Sequence, residues 1–491
     1  MTSHDLDVVL LVGSAILILA VLAVRLSVGF GMPSLLMYLG LGLVVGVDGA
    51  GLTFADADMA FVLGISALVL ILAEGGLTTN WTHVRPSIGF GLLLATLGTA
   101  ISVAVVACGA HFIFGLEWEL ALLLAAVLTP TDAAAVFSVL RSVPLKPRVS
   151  GVLETESGLN DAPIVVLVTA ISAHHVDGWL PLLGLITFEL VVGAAVGVAI
   201  GVGGAKLLRG VALPAAGLYP IMVFAVTILA YSGAAFIHAS GFAAVYVSAV
   251  VLGNTDLPHR SATRSFVEGI GWLAQIGLFV MLGLLADPSD FTTWHIGVGI
   301  AIGALLTFVA RPLSVGACAL WFKVGWREQL FVGWAGLRGA VPIVLSTIPL
   351  AAGVHHAIDL FNVVFVAVVV YTLVQAAPLG RLAAWCGVLT QSGRDVEIDA
   401  APLERVSADL LQIYVPPESK LAGVEVGELR LPEGASVSLI VRDNSTFVPH
   451  RTTRINREDE LLVVSPRSVR DKAERRLRAV AREGRLAGWN D

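Results

Sequence analysis

The chain has 491 residues, of which 56% are hydrophobic and only 14% are Asp, Glu, Lys or Arg, and its mean hydropathy is +0.86. A soluble domain carries nearer about 25% charged residues, so the composition excludes an ordinary soluble enzyme. Thirteen of the 30 Lys and Arg residues lie in residues 1–380, and the other seventeen lie in residues 381–491. We therefore predict two modules, one in lipid and one in water. The sequence contains no basic tract of the kind that binds nucleic acid.

Thirteen apolar runs approach or exceed the length of about 20 residues that a membrane-spanning helix needs. They are 8–24, 29–47, 59–77, 87–107, 119–140, 150–171, 180–205, 216–236, 240–253, 267–286, 294–322, 329–349 and 360–378. The segment before the first run has no Lys or Arg. This is not typical of a cleaved signal peptide, so we expect the first run to remain as a helix.

Basic residues fall on alternate connections between these runs. They are Arg25, Arg85, Arg141, Lys146, Arg148, Lys206, Arg209, Arg260, Arg264, Lys323 and Arg327. The N-terminal segment and the intervening connections carry none. Because Lys and Arg gather on the cytoplasmic side of a membrane, we predict an outside N-terminus and a cytoplasmic tail. The predicted location is the cell (inner) membrane.

The sixth run concentrates polar residues that are costly inside a membrane and therefore indicate function. Residues three or four apart on a helix share a face, so Glu154, Ser157 and Asp161 line one stripe, and Glu156 and Asn160 line the next. Oxygen ligands of this kind can replace the water shell of a monovalent cation, and Asp161 offers one negative charge. The alternative is a buried hydrogen-bonded network that only holds helices together. Of these acids, Glu154 is the one for which this structural role is the strongest alternative.

Two runs are interrupted by proline beside charged residues. Pro130 precedes Thr131 and Asp132 in the fifth run, and Pro342 follows Arg338 in the twelfth. Proline removes a backbone donor and disturbs a helix, which is tolerated at membrane depth where the backbone lines a cavity. The two runs are seven positions apart, which predicts an inverted repeat of helices 1–6 and 8–13 around helix 7. Paired interruptions indicate a transport site at the midplane, whereas two ordinary proline kinks are the alternative.

The remaining intramembrane charges are fewer. Arg338 keeps its proton and needs a partner, for which we expect Glu156 first and Glu154 second. Arg311 is a second cation within a span. Glu74, near the inner end of the third run, either coordinates or gates the ion or reaches the cytoplasm.

Other polar residues give weaker signals. Glu189 is a single acid that can pair or reach the membrane surface. The adjacent residues His174 and His175 are expected to be solvated rather than to bind metal. Cys108, Cys318 and Cys386 are far apart, which predicts neither a disulfide nor a metal set.

The motifs Ser157-Gly-Leu-Asn160-Asp161, Thr131-Asp132 and Gly336-Leu-Arg338-Gly-Ala-Val-Pro342 resemble those of the cation:proton antiporter 1 family, NhaP type, over residues 1 to about 386. The resemblance implies an all-α polytopic membrane fold with about 13 transmembrane helices, inverted repeats and crossed broken helices, and a homodimer. It implies that cation and proton bind at Asp161, Ser157, Thr131, Glu74 and Asp132. The implied supporting residues are Asn160, Arg338, Glu156, Pro130 and Pro342.

The residue after Thr131-Asp132 is Ala133, where many sodium-transporting relatives have proline. The run looks more like the potassium/proton, cell-volume-regulation branch. We therefore expect potassium as the exchanged cation, with sodium as the alternative.

The tail is predicted as a small cytoplasmic α+β domain at 404–491, joined to the membrane domain (1–386) by a linker at 387–403. Strands are predicted at 410–415, 435–441, 447–449 and 460–464, and helices at 419–429 and 469–480. Residues 404–480 resemble a TrkA-C (RCK-C) domain, which implies a dimeric regulatory module. No Gly-x-Gly-x-x-Gly precedes it, so NAD is not expected. A nucleotide ligand stays open, and no other cofactor is expected.

These observations together predict a secondary antiporter in which a proton and a cation compete for Asp161. The site opens to the two sides of the membrane in turn, by alternating access. One ionisable acid in the Asn160-Asp161 pair predicts electroneutral 1:1 exchange. A ligand-regulated cation channel is the main rival class. An intramembrane hydrolase needs a convergent nucleophile and base, which the sequence does not offer, and a structural membrane protein needs no charges at broken helices.

Overall fold

The structure, a computed structural model, describes residues 3–30, 34–52, 54, 56–132, 135, 145–173, 178–390, 397–403, 408–442, 445–484 and 487. The chain divides into two compact units, Met1–Leu389 and Thr390–Asp491. The predictions made for His174, His175 and Ala133 concern residues outside this described part.

Helices occupy all thirteen predicted runs of the first unit, as far as those runs are described. Within the described residues, the first nine helices are α1 (Ser3–Phe30), α2 (Ser34–Val45), α3 (Ala57–Thr78), α4 (Trp81–Val84), α5 (Ile88–Leu93), α6 (Thr99–Phe114), α7 (Trp118–Leu128), α8 (Pro147–Ser172) and α9 (Trp179–Gly210). A 3-10 turn at Arg85–Ser87 and a π turn at Leu94–Gly98 join α4, α5 and α6 into one continuous helical segment.

The rest of the unit continues in the same way. Its helices are α10 (Leu218–Phe236), α11 (Gly241–Gly253), α12 (Arg260–Leu285), α13 (Thr293–Leu305), α14 (Arg311–Ala319), α15 (Trp326–Ala335), α16 (Ala340–Ala351), α17 (Ala357–Ala376) and α18 (Leu379–Cys386). A π turn at Leu306–Ala310 keeps α13 and α14 continuous.

Length and composition qualify seven helices of the described chain as membrane spans, and the bent pair α15 and α16 adds an eighth. Four shorter apolar helices accompany them. Helix α8 has 26 residues, which is long enough to span. Its many polar and charged residues lower its hydropathy, and they include Glu154, Glu156 and Asp161, which the sequence singles out. The membrane unit is therefore the predicted polytopic helical fold.

Both predicted interruptions are breaks in helical backbone. Helix α7 ends at Leu128, and Thr129–Asp132 are not helical. Helices α15 and α16 meet at an angle of 51° across Gly336–Gly339. The Asp132 backbone N–H donates to the Leu337 carbonyl at 2.9 Å, so the two breaks satisfy each other's backbone groups, as burial away from water requires.

Close helix packing depends on glycine at the contact of α2 with α12. A Cβ added to Gly42 would overlap the backbone oxygen of Val280, and one added to Gly283 would overlap that of Leu39. Small residues let helix backbones approach closely in a membrane, where lipid is as apolar as the helix surface. This contact holds α12 beside the helices that carry the site.

Where it is described, the second unit forms a five-stranded antiparallel sheet with one α-helix. Its strands are β1 (Glu397–Leu403), β2 (Ala408–Tyr414), β3 (Ser436–Arg442), β4 (Ser445–Phe447) and β5 (Glu460–Pro466), in the order β1-β2-β5-β3-β4, and α19 spans Arg470–Glu483. Leu411 pairs with Val463 and Ile413 with Leu461, and all four are buried in a core that includes Leu477.

Two sequence predictions for the tail are wrong in detail. Part of the predicted linker forms strand β1, which pairs along its whole length with β2. The predicted helix at 419–429 is only a 3-10 turn at Val426–Leu429. Gly423, which has a φ of +90°, and Gly427 fall within that segment, and glycine disfavours a helix interior.

Candidate ion-binding site

Helix α8 presents the central polar stripe of the site. Asp161 and Ser157 are buried, with exposed fractions of 6% and 5%, whereas Glu154 is half-buried. The Ser157 hydroxyl donates to the Leu153 carbonyl at 2.5 Å, so its oxygen lone pairs remain available to a cation. Asp161 Oδ1 has no hydrogen-bond partner among the described residues. A buried carboxylate oxygen without a donor has room for either a proton or a cation.

The break after α7 is held against this stripe by Asn160. Its Nδ2 donates to Thr131 Oγ1 at 2.9 Å, and both side chains are buried. The amide therefore fixes the non-helical segment that follows Pro130. This arrangement fits the supporting role that the family resemblance implies for Asn160.

Asp132 joins the two broken helices. Its backbone N–H contacts the second break at the Leu337 carbonyl, and its Oδ1 accepts from the Ala135 N–H at 3.3 Å. A Cβ on Gly339 would overlap Asp132 Oδ2. The glycine is therefore needed for the carboxylate to reach the break between α15 and α16.

A cavity of about 380 Å³ brings the predicted ion-binding residues together. Four of the five line it: Asp161, Ser157, Glu74 and Asp132. Thr131 does not, and reaches the site through its hydrogen bond with Asn160. Glu154 lines the cavity too, whereas Glu189 does not. The cavity therefore concentrates carboxylate and hydroxyl oxygens, which suit a hard monovalent cation.

The predicted partner of Arg338 is wrong. Glu156 pairs with Arg311, whose Nη1 donates to Oε1 and whose Nη2 donates to Oε2 at 3.2 Å. Arg338 Nη1 donates to the Gly336 carbonyl at 2.7 Å. Its Nε and Nη2 have no partner within the described part of the chain. The two arginines and Glu156 are all buried, so one carboxylate faces two guanidinium groups.

Glu156 pairs with Arg311 instead of Arg338 because of the way the helices pack. Arg311 opens α14, which packs against α15. A Cβ on Gly336 would lie 2.7 Å from Arg311 Nη2, so the glycine at the break leaves space for the guanidinium. Pro342 is buried in the first turn of α16, where it continues the helix after the break. Sequence spacing contains no information about this contact between helices.

Several cavity residues were not predicted. Tyr246, Gln275, Arg264 and Glu268 line the cavity with the predicted acids. Gln275 is a polar residue within an apolar run, which is a signal that the sequence offers. Tyr246 gives no such signal, since tyrosine is common in membrane helices.

A second cavity of about 470 Å³ lies elsewhere and includes none of the predicted residues. It is lined by Glu117, His295, His356 and Asp359 among others. His295 Nε2 lies 3.0 Å from Asp359 Oδ1, and the Thr292 N–H donates to His295 Nδ1. The carboxylate therefore joins the starts of α13 and α17.

Comparisons with known proteins identify the families that the chain matches. Residues 14–385 match the family described as "Sodium/hydrogen exchanger, transmembrane", and residues 410–478 match the TrkA-C domain. The K(+)/H(+) antiporter NhaP of Alkalimonas amylolytica is 33% identical over 94% of this chain and 81% of its own length. The K(+)/H(+) antiporter NhaP2 of Shewanella oneidensis is 34% identical over 94% and 82%.

A more distant relative and a solved structure extend the comparison. The Na(+)/H(+) antiporter NhaH of Halobacillus aidingensis is 28% identical over 60% of this chain and 75% of its own length. The sodium proton antiporter MjNhaP1 of Methanocaldococcus jannaschii, solved at pH 8, superimposes with a TM-score of 0.66 at 21% identity, over 77% of this chain and 99% of its own. This last likeness concerns the fold.

Proposed function

This chain belongs to the sodium/hydrogen exchanger family, and on that premise we propose that it exchanges potassium for protons at Asp161. The predicted class, a secondary transporter rather than an enzyme, agrees with the relatives, which are antiporters. The observation that carries the proposal is the buried Asp161 carboxylate, whose Oδ1 has no described partner and which lines the cavity.

Exchange follows from the cost of burying a charge. An ionised carboxylate is stable inside a protein only when it is paired. Asp161 is therefore occupied by a proton or by a cation, and the arrival of one releases the other. Ser157 adds a hydroxyl oxygen from the preceding turn of α8, and Glu74 and Asp132 add carboxylates from other elements. Alternating access then carries one ion in each direction.

Replacement of Asp161 tests the site. We expect Asp161→Asn to abolish exchange, because an amide neither binds the proton nor offers a charge to the cation. Glu189→Gln is the matched control, since it removes an intramembrane carboxylate outside the cavity and should leave exchange unchanged. Both variants are assayed for proton movement in everted vesicles after equal insertion is shown. Exchange that survives at ordinary rates in Asp161→Asn would overturn the assignment.

Potassium is the preferred substrate because two relatives of about one-third identity that match 94% of this chain are named potassium/proton antiporters. Sodium is the alternative, supported by the family description and by the shorter match to NhaH. Proton release from everted vesicles on addition of potassium or of sodium distinguishes them. A response to sodium alone would refute the potassium proposal.

Electroneutral 1:1 exchange rests on Asn160, which makes Asp161 the one ionisable residue of the Asn-Asp pair. Exchange should then be independent of a clamped membrane potential. A channel would instead conduct along the potential without moving protons, so the same vesicles with a pH-sensitive dye separate the two classes. A rate that follows voltage would contradict the stoichiometry.

The wider setting is part of the proposal. We infer a homodimer in the inner membrane, with the N-terminus outside and the TrkA-C domain in the cytoplasm, where a small ligand such as a nucleotide would regulate transport. The alternate placement of basic connections supports this orientation. Accessibility of single cysteines in the connections to an impermeant reagent tests it.

A further inference from the structure

Tyr246, in α11, packs against the ion-binding helix at a residue without a side chain. Its ring lies where a Cβ on Gly158 would be, in overlap with Cζ and 2.7 Å from the hydroxyl oxygen. Tyr246 is 8% exposed and lines the same cavity as Asp161. Gly158 therefore allows an aromatic ring to reach the backbone of α8 inside the cavity.

The position of this contact along α8 gives it a functional meaning. Glu154, Gly158 and Asp161 share one face of the helix. At about 1.5 Å per residue, Glu154 and Asp161 are roughly 10 Å apart along the axis, and Gly158 lies between them. The exposed Arg264 and Glu268 also line the cavity, so it reaches the protein surface beside them. Tyr246 thus stands between the half-buried Glu154 and the buried Asp161.

The helix of Tyr246 is joined to the end of α3. The Thr79 hydroxyl donates to the Gly75 carbonyl at 2.7 Å. Asn254, which caps α11, donates to the Thr79 carbonyl at 2.8 Å. The end of α3 and the helix of Tyr246 are therefore joined at this point.

We propose that Tyr246 forms the constriction through which ions pass between Glu154 and Asp161, with Glu154 as the carboxylate on the side that faces the surface of the protein. The proposal rests on the exchange of ions at Asp161 described above. The apolar ring narrows the path at Gly158, so a cation must shed water to pass. The close contact with Gly158, and the hydrogen bond from Asn254 to the Thr79 carbonyl, hold the ring in that position.

Thiol labelling tests the constriction without requiring transport. In a background lacking Cys108, Cys318 and Cys386, single cysteines are introduced by Glu154→Cys or Asp161→Cys. A charged thiol reagent is applied to everted vesicles, and the labelling rates are measured. The labelling rate at position 161 should rise at least about tenfold when Tyr246→Ala is added, and that at position 154 should not change.

Two further variants separate a constriction from a general loosening of the fold. Tyr231 packs on Gly241 in the same manner as Tyr246 on Gly158, but it does not line the cavity. Tyr231→Ala should therefore leave both labelling rates unchanged. Tyr246→Phe keeps the ring over Gly158 and should therefore leave the rate at position 161 within about twofold of that with Tyr246 present.

The outcomes are distinct. Equal labelling at position 161 with and without Tyr246→Ala overturns the constriction, as does faster labelling at both positions in every variant. Because labelling does not depend on transport, this failure differs from failure of the exchange proposal, which surviving transport by Asp161→Asn would show. If Tyr246→Ala does not fold, Gly158→Ala displaces the ring instead, and it should accelerate labelling at position 161.

Discussion

Replacement of Glu156 should disturb the membrane unit more than replacement of either arginine beside it. The three side chains Glu156, Arg311 and Arg338 are buried, and they carry two positive charges and one negative charge. Glu156→Gln leaves two guanidinium groups without a carboxylate. Arg311→Met leaves one cation and one anion, so the remaining charges balance.

The expected magnitude follows from the burial of the pair. Glu156 is 1% exposed and Arg311 3% exposed, and two hydrogen bonds join them. Removal of one partner of a buried ion pair costs about 3–5 kcal/mol, because the other charge is left uncompensated. We expect Glu156→Gln to reach this range and Arg311→Met to cost less, since Arg338 remains near Glu156. The double variant should cost less than the sum of the two single variants.

The assay is reversible unfolding in mixed micelles, followed by tryptophan fluorescence, with exchange activity measured in parallel. The second cycle combines Glu156→Gln with Arg338→Met. Coupling should be larger in the cycle with Arg311 than in the cycle with Arg338. A cost below about 1 kcal/mol for Glu156→Gln, or larger coupling to Arg338, would refute the pairing.

Two further predictions concern packing and the tail. Gly42→Val should destabilise the membrane unit, because the valine side chain would overlap the backbone of α12. Gly40→Val, in the same helix, should not, because no atom lies within 4 Å of a Cβ at that position. Thermal inactivation in detergent compares the two variants, and equal midpoints would contradict the close contact. Asp459→Asn should weaken the tail by about 1–3 kcal/mol, since Asp459 is fully buried and ion-paired. Hydrogen exchange of the full chain measures this loss, with Glu474→Gln, at a partly exposed pair, as a control that should stay within about 0.5 kcal/mol.

The amino-acid sequence alone determined the membrane architecture. A span needs a long apolar run, and lipid satisfies no backbone hydrogen bond, so such a run must form a helix. All thirteen runs contain helix where they are described. The interruptions near Pro130 and Pro342 were also predictable, because each proline lies close to a charged residue within an apolar run, and the two runs occupy matching places in the two halves of the chain. The acids of α8 stood out because charge is rare inside a span.

Tertiary structure decided which of these residues meet. Glu156 and both arginines were evident in the sequence, but the pairing depends on the packing of α14 beside α15 and on the space at Gly336. Strand β1 was missed since its pairing with β2 is made across the sheet rather than within its own segment. Tyr246 carries no charge, and only its place over Gly158, between Glu154 and Asp161, gives it a role. The hydrophobic periodicity and the local chemistry can be read from the sequence, whereas contacts between helices that are distant in sequence form only when those helices pack.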